Sequence, residues 1–171
     1  MNRRFGAGGL GRSGLPGDIR VISAVEVPSD FHARFSCHGK TYKYVVDRSG
    51  DIFERNYVYQ YGYELDHEAM RVAAKAAVGT HDFASFQTTG GIPRETTVRT
   101  VTDIAISDEG ERTIIRVTGD GFLYNMVRII VGTLLETGTG KRSASDMEQI
   151  VADATRVYGT ATGAIFGADI F

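Results

Sequence analysis

Lys40-Thr41-Tyr42-Lys43-Tyr44 alternates cations with aromatic rings inside a stretch of β-forming residues. On a strand, successive side chains point to opposite faces, so Tyr42 and Tyr44 share one face and Lys43 takes the other. Rings of this kind stack on nucleobases, while Lys and Arg side chains meet phosphates. The same alternation also describes two tyrosines packed in a sheet core with solvated lysines, because Tyr fits a half-buried pleated surface on packing grounds alone. A second segment, Gly121-Phe122-Leu123-Tyr124-Asn125-Met126-Val127-Arg128, places Arg128 between Val127 and Ile129, early in a strongly apolar helical pattern. A cation there must snorkel to solvent or hold an anionic group, a carboxylate or a phosphate.

Other constellations carry less. His81, Asp82 and Ser85 have the residue types of a nucleophilic triad, yet triads are assembled from distant segments and these three are close neighbours. The alternative is a turn in which Asp82 and Ser85 bond local backbone. His32, Cys37 and His38 are metal-ligand types without a third and fourth ligand at a recognisable spacing, so no metal is expected. Gly119-Asp120-Gly121 is a Gly-rich turn without the Lys-Ser/Thr of a P-loop.

The elements that must position these residues are legible from periodicity. Residues 19–27, 41–47 and 56–61 read as strands, with a turn at 47–51. Met70, Ala73, Ala74, Ala77 and Val78 lie on one face of a helix, with Asp66 at its N-cap and Gly79 at C′. Residues 97–106 and 112–118 flank a turn and read as an antiparallel hairpin. Val127, Ile130, Val131, Leu134 and Leu135 mark a second helix ending at Gly138. A third is expected to start at a Ser145–Glu148 capping box. The closing AIFGADIF reads as an edge strand. Strands and helices mix without regular alternation, which implies α+β: an antiparallel sheet with helices packed on one face.

The chain has 171 residues, 42% hydrophobic and 23% charged, with a formal charge of −2. These values fit one globular domain and argue against a generic polyanion binder. Charge is uneven, however. Residues 1–50 hold eight Lys/Arg against four acids, which suggests a one-sided anionic contact. A single cysteine, Cys37, fits a reducing compartment. The Gly-rich start lacks the apolar region of a secretory signal, and no run approaches the ~20 apolar residues of a membrane helix. Residues 1–18 are expected to be a flexible leader, and 19–171 one domain.

The runs LPGDIRV (15–21), DFHARFSCHGKTYKYVV (30–46), GTHDFASF (79–86), TVRTV (97–101) and GDGFLYNMVRIIVGTLLETGTGK (119–141) resemble, in order and spacing, the C-terminal half of the bacterial tRNA pseudouridine synthase A family. The resemblance implies the pseudouridine synthase fold and a cytoplasmic isomerase that converts uridine to pseudouridine in the anticodon arm of tRNA. It implies no metal, no organic cofactor and a homodimer. In this family an aspartate acts while the bond between ribose and uracil breaks, the base turns, and it is rejoined through carbon. The target base must leave its stack to be reached. Tyr42 resembles the family's active-site tyrosine, stacked on the target base. Arg128 resembles the basic residue paired with the catalytic aspartate, and Leu123 lines the base pocket. Arg34, Lys40 and Lys43 are the candidate RNA-backbone contacts.

One family feature has no counterpart in the 171 residues. The catalytic aspartate belongs to a Gly-Arg-Thr-Asp-type motif, whereas Gly11-Arg12-Ser13-Gly14 has no acid at its fourth position. Asp18 belongs to the LPGDI match and Asp120 to GDGFLYN, so neither is that nucleophile. From Arg156 the tail also departs from the family pattern. The expectation is that the isolated chain does not turn over; the rival reading is a non-catalytic RNA-binding module.

Overall fold

The computed structural model describes residues 4–6, 16, 19–33, 36–88 and 95–153. The chain divides into two compact units, Met1–Cys37 and His38–Phe171. In the first, strand β1 (Arg4–Gly6) pairs antiparallel with β2 (Ser23–Val25), with Phe5 opposite Ala24. The strand expected over 19–27 is therefore limited to three residues, the length over which β1 supplies a partner. Apart from Arg4–Gly6 and Pro16, the leader lies outside the described residues.

The second unit holds a five-stranded sheet. Its strands are β3 (Lys40–Asp47), β4 (Tyr59–Gln60), β5 (Gly79–Asp82), β6 (Val98–Glu109) and β7 (Arg112–Gly119), in the order β4-β3-β7-β6-β5. Pairing is antiparallel from β3 through β5, as the sequence pattern implies. The exception is β4, which runs parallel to β3 over two residues, so the sheet is mixed. A tight hairpin joins antiparallel strands, whereas a parallel pair needs a long crossover, here residues 48–58. That crossover also shortens the strand expected at 56–61. The amides of Tyr57 and Val58 both bond the Glu54 carbonyl in a helical turn, at 2.8 and 3.1 Å.

Helix α1 (His67–Ala77) starts where Asp66 accepts from the amides of Glu68 and Ala69, and it buries Met70, Ala73, Ala74 and Ala77. Both features match the sequence pattern. Gly79 follows the cap residue Val78 with φ +124°, a conformation that disfavours any side chain. Helix α2 (Met126–Gly138) is buried almost all round; only Arg128 and Glu136 escape. Its Thr133 and Thr137 hydroxyls donate to the carbonyls one turn back, which satisfies them inside the core. Helix α3 (Ala144–Ala152) begins earlier than the sequence suggested. Ser143, not Ser145, is its N-cap, because the Ser143 amide and hydroxyl both donate to the Asp146 carboxylate.

The apolar faces of the three helices meet one face of the sheet, carried by Tyr44, Val46, Val101, Ile106, Ile115 and Val117. This is the expected α+β layering, consistent with the pseudouridine synthase fold. The C-terminal edge strand expected from AIFGADIF lies outside the described residues.

Candidate functional site

Strand β3 begins beside the point where β7 ends, with Lys40 opposite Gly119 and Tyr42 opposite Val117. Just past β7 the chain turns through Asp120 and Gly121 into α2. Asp120 is fully committed to this turn. Its amide donates to the Thr100 carbonyl at 3.0 Å, and its carboxylate accepts from the Thr100 amide at 3.1 Å. Gly119 is required because a Cβ there would sit 2.7 Å from the Thr100 carbonyl oxygen. The turn delivers Phe122 to Tyr42. The two rings meet edge to face, centroids 5.4 Å apart and planes at 86°, a favoured aromatic geometry.

Tyr42 keeps 41% of its surface exposed, while Tyr44 keeps 4%. The two tyrosines share a face, but only Tyr44 is in the core. The Tyr44 phenol lies near the Arg128 guanidinium in the first turn of α2. Burial pushes the Tyr44 phenol above its ordinary pKa, and the adjacent positive charge of Arg128 works against that rise. Leu123 is buried in the same cluster, next to the exposed Tyr124. Asn125 enters α2 with φ 59°, the one non-glycine residue in the left-handed region among the described residues. Its amide donates to the Thr88 hydroxyl at 2.8 Å, which ties the turn to the segment after β5.

Of the residues singled out in the sequence, Tyr42, Leu123 and Arg128 thus fall along one end of β3 and the entry to α2. Lys40 is half-buried beside them. Lys43 is exposed on the opposite face, in register with Arg116, and is not part of this group. Arg34 lies outside the described residues. Sequence reasoning missed the ring contact of Phe122, the proximity of Tyr44 to Arg128, and the Asn125 turn. The period-2 pattern of β3 did place Tyr44 on the Tyr42 face. No spacing signal joins it to a helix eighty-odd positions away.

The neighbours of triad type serve the backbone. Asp82 accepts from the Ala84 amide and the Thr97 hydroxyl, as a local turn requires. Ser85 instead bonds the distant Asp153 carbonyl. His81 bonds the Val78 carbonyl through Nε2 at 3.1 Å. None of the three side chains bonds another of them.

A mixed five-stranded sheet with helices packed on one face places the chain in the α+β class. A family model described as tRNA pseudouridine synthase matches residues 73–162, and the chain belongs to that family. It is 52% identical over 146 residues to tRNA pseudouridine synthase A of Halalkalibacterium halodurans, covering 84% of this chain and 55% of the relative. It is 48% identical over 144 residues to the protein of the same name from Clostridium acetobutylicum, covering 83% and 59%. With tRNA pseudouridine synthase A 2 of Clostridium perfringens the identity is 47% over 146 residues, covering 84% and 59%. The chain therefore spans between half and two thirds of the length of these relatives. Among the described residues no helix is long and apolar enough to cross a membrane.

Proposed function

We propose that this chain is the part of a tRNA uridine isomerase that receives the target base. The exposed Tyr42 ring, braced edge-on by Phe122, is the observation that carries the reading. A ring held by one neighbour and open on its other side is suited to stack on a base that has left its helix. Leu123 lies under the same end of the sheet and supplies apolar floor. Arg128 supplies the positive charge that would keep a catalytic aspartate ionised and aimed. Lys40, Lys43 and Arg34 are proposed contacts to the RNA backbone. The substrate is the anticodon arm of tRNA, no metal or organic cofactor takes part, and the working form is a cytoplasmic homodimer. Residues 19–171 form the C-terminal domain of the family, preceded by the leader 1–18.

The reaction breaks the bond between ribose and uracil, turns the base and rejoins it through carbon. It is an isomerisation, so atoms balance without a co-reactant. The proton on the carbon that joins ribose must leave, which gives a direct readout. No Gly-Arg-Thr-Asp run occurs in the 171 residues. That observation favours a second reading for the isolated chain: it binds RNA without turnover.

The test is tritium release from anticodon-arm RNA labelled at uracil C5, together with binding of the same RNA by fluorescence anisotropy. The chain alone is expected to bind and to release nothing. Adding a polypeptide that carries the family's aspartate motif is expected to start release. Release by the chain alone would refute the inactivity. Failure to bind the arm would refute the base-receiving site.

A further inference from the structure

We propose that Asn125 and Thr88 form a clasp that holds Phe122 against Tyr42, and that both are positioning residues for the ring that receives the base. The inference rests on the reading of Tyr42 given above and adds to it how the brace of that ring is kept in place. Asn125 is unusual in three respects. Its φ of 59° puts a non-glycine residue in the left-handed region, a conformation that costs free energy and persists where the surroundings hold it. It stands at the N-cap of α2, where an asparagine side chain commonly caps the helix, yet its side chain makes no cap hydrogen bond. The side-chain amide instead donates to the Thr88 hydroxyl at 2.8 Å, across 37 positions of sequence. A half-buried asparagine that gives up the cap for a distant hydroxyl fixes tertiary placement, not the helix.

The segment between β7 and α2 is thereby pinned at both ends. At its start, Asp120 is bonded to Thr100 of β6 through its amide and its carboxylate, at 3.0 and 3.1 Å. At its end, Asn125 bonds Thr88, and the Thr88 amide reaches the Tyr124 carbonyl at 3.5 Å. The Met126 amide closes the turn on the Leu123 carbonyl at 3.1 Å. Thr88 is itself anchored, because it follows a helical turn, Ala84–Phe86, whose Phe86 is fully buried. Phe122 lies between the two pins, and its ring meets Tyr42 edge to face. A left-handed asparagine that loses its tether relaxes toward ordinary backbone, and the residues before it swing with it. The brace then leaves Tyr42, and the exposed ring samples more positions before a base arrives, which is a loss of preorganisation.

The experiment compares the full chain with Thr88→Val, Thr88→Ser, Asn125→Gly, the pair Thr88→Val/Asn125→Gly, and Tyr42→Ala with and without Thr88→Val. Valine fills the space of threonine without its hydroxyl, serine keeps the hydroxyl, and glycine accepts positive φ while removing the amide. The first readout needs no RNA: nuclear Overhauser contacts between the rings of Tyr42 and Phe122. Thr88→Val and Asn125→Gly are expected to weaken these contacts, Thr88→Ser to keep them, and the pair to do no more than either single change. Contacts unchanged in Thr88→Val and Asn125→Gly overturn the proposal. The second readout is affinity for anticodon-arm RNA, at a temperature where circular dichroism shows every variant folded. Thr88→Val is expected to weaken binding about two- to tenfold, the scale of one hydrogen bond, and Thr88→Ser to bind as the parent does. In the Tyr42→Ala background Thr88→Val is expected to change nothing, whereas a general loosening of the fold would still weaken binding there. Losses that simply add, or a chain that binds RNA equally well with Thr88→Val, overturn the proposal too. If the chain binds no RNA while the ring contacts respond to Thr88→Val, the base-receiving function falls and the hold of the clasp on Phe122 stands.

Discussion

Gly119→Ala is expected to destabilise the protein although it adds a single carbon. Gly119 closes β7, between Lys40 of β3 and Val101 of β6. A Cβ there meets the Thr100 carbonyl oxygen at 2.7 Å and Phe122 Cζ at 3.1 Å. The ring can swing, but the carbonyl cannot. Thr100 is bonded through both its amide and its carbonyl to Asp120, so the strand and the turn must move together. Overpacking of this kind costs about 1–3 kcal/mol. The lower entropy of the unfolded alanine chain returns ~0.4–1 kcal/mol. The net loss is roughly 1–2 kcal/mol, equivalent to a fall in Tm of about 2–8 °C for a chain of this size. Gly121→Ala is the control. The nearest atom to its added carbon is Arg99 Cδ at 4.0 Å, and its φ is outside the left-handed region, so its stability should change by less than ~0.5 kcal/mol or rise slightly. Urea unfolding followed by circular dichroism should show a lower midpoint for Gly119→Ala at unchanged slope. Equal midpoints for the two alanine variants would refute the steric reasoning.

Tyr42→Ala should weaken anticodon-arm binding about five- to a hundredfold, since stacking is worth roughly 1–3 kcal/mol per base, while Tyr42→Phe binds nearly as well; equal affinity of Tyr42→Ala and the parent chain would count against the stacking role. Asp146 should titrate below the usual carboxylate range, because the Ser143 hydroxyl and amide both donate to its charged form. With the folded pKa lowered, its contribution to α3 is present above the unfolded value and lost as pH falls through the folded one, and carbon-13 titration of Asp146 in Ser143→Ala should return it toward the ordinary value. Leu134→Ala, at a fully buried position of α2, should cost about 2–5 kcal/mol by urea unfolding, and a smaller loss would mean that the helices close over the gap. Ile19, Ile22, Val25 and Phe31 are exposed, so the chain should self-associate as concentration rises; sedimentation showing a monomer throughout would contradict this.

The helices and the long hairpin were legible because one physical signal decides each. Met70, Ala73, Ala74 and Ala77 repeat at the helical period and are the residues that α1 buries. The β6–β7 turn falls at Gly110, which takes φ +75°. The short strands were not legible, because their length is set by partners and not by their own composition. Residues 19–27 hold five Ile and Val, yet only Ser23–Val25 find a ladder. Likewise 56–61 reads as a strand on its tyrosines, while hydrogen bonds to the Glu54 carbonyl claim its first half. The start of α3 shows the same limit at one residue's scale. Ser143 and Ser145 both have an acid three positions on, and only the geometry selects Ser143 with Asp146.

At the site, residue type was informative and pairing was not. An arginine flanked by Val127 and Ile129 announces that it needs an anion or an acceptor, and the alternation of β3 announces a tyrosine face. Neither announces the other, because α2 and β3 are brought together by the burial of the helix as a whole. Since α2 is buried everywhere but at Arg128 and Glu136, its orientation is fixed by apolar contacts along its full length. Rotating the helix to take Arg128 away from Tyr44 would expose several of Met126, Ile129, Ile130 and Leu134, each fully buried now. At roughly 1.5–3 kcal/mol for each such side chain, that rotation costs far more than any single polar contact of Arg128 could return. The core therefore sets where Arg128 enters the site.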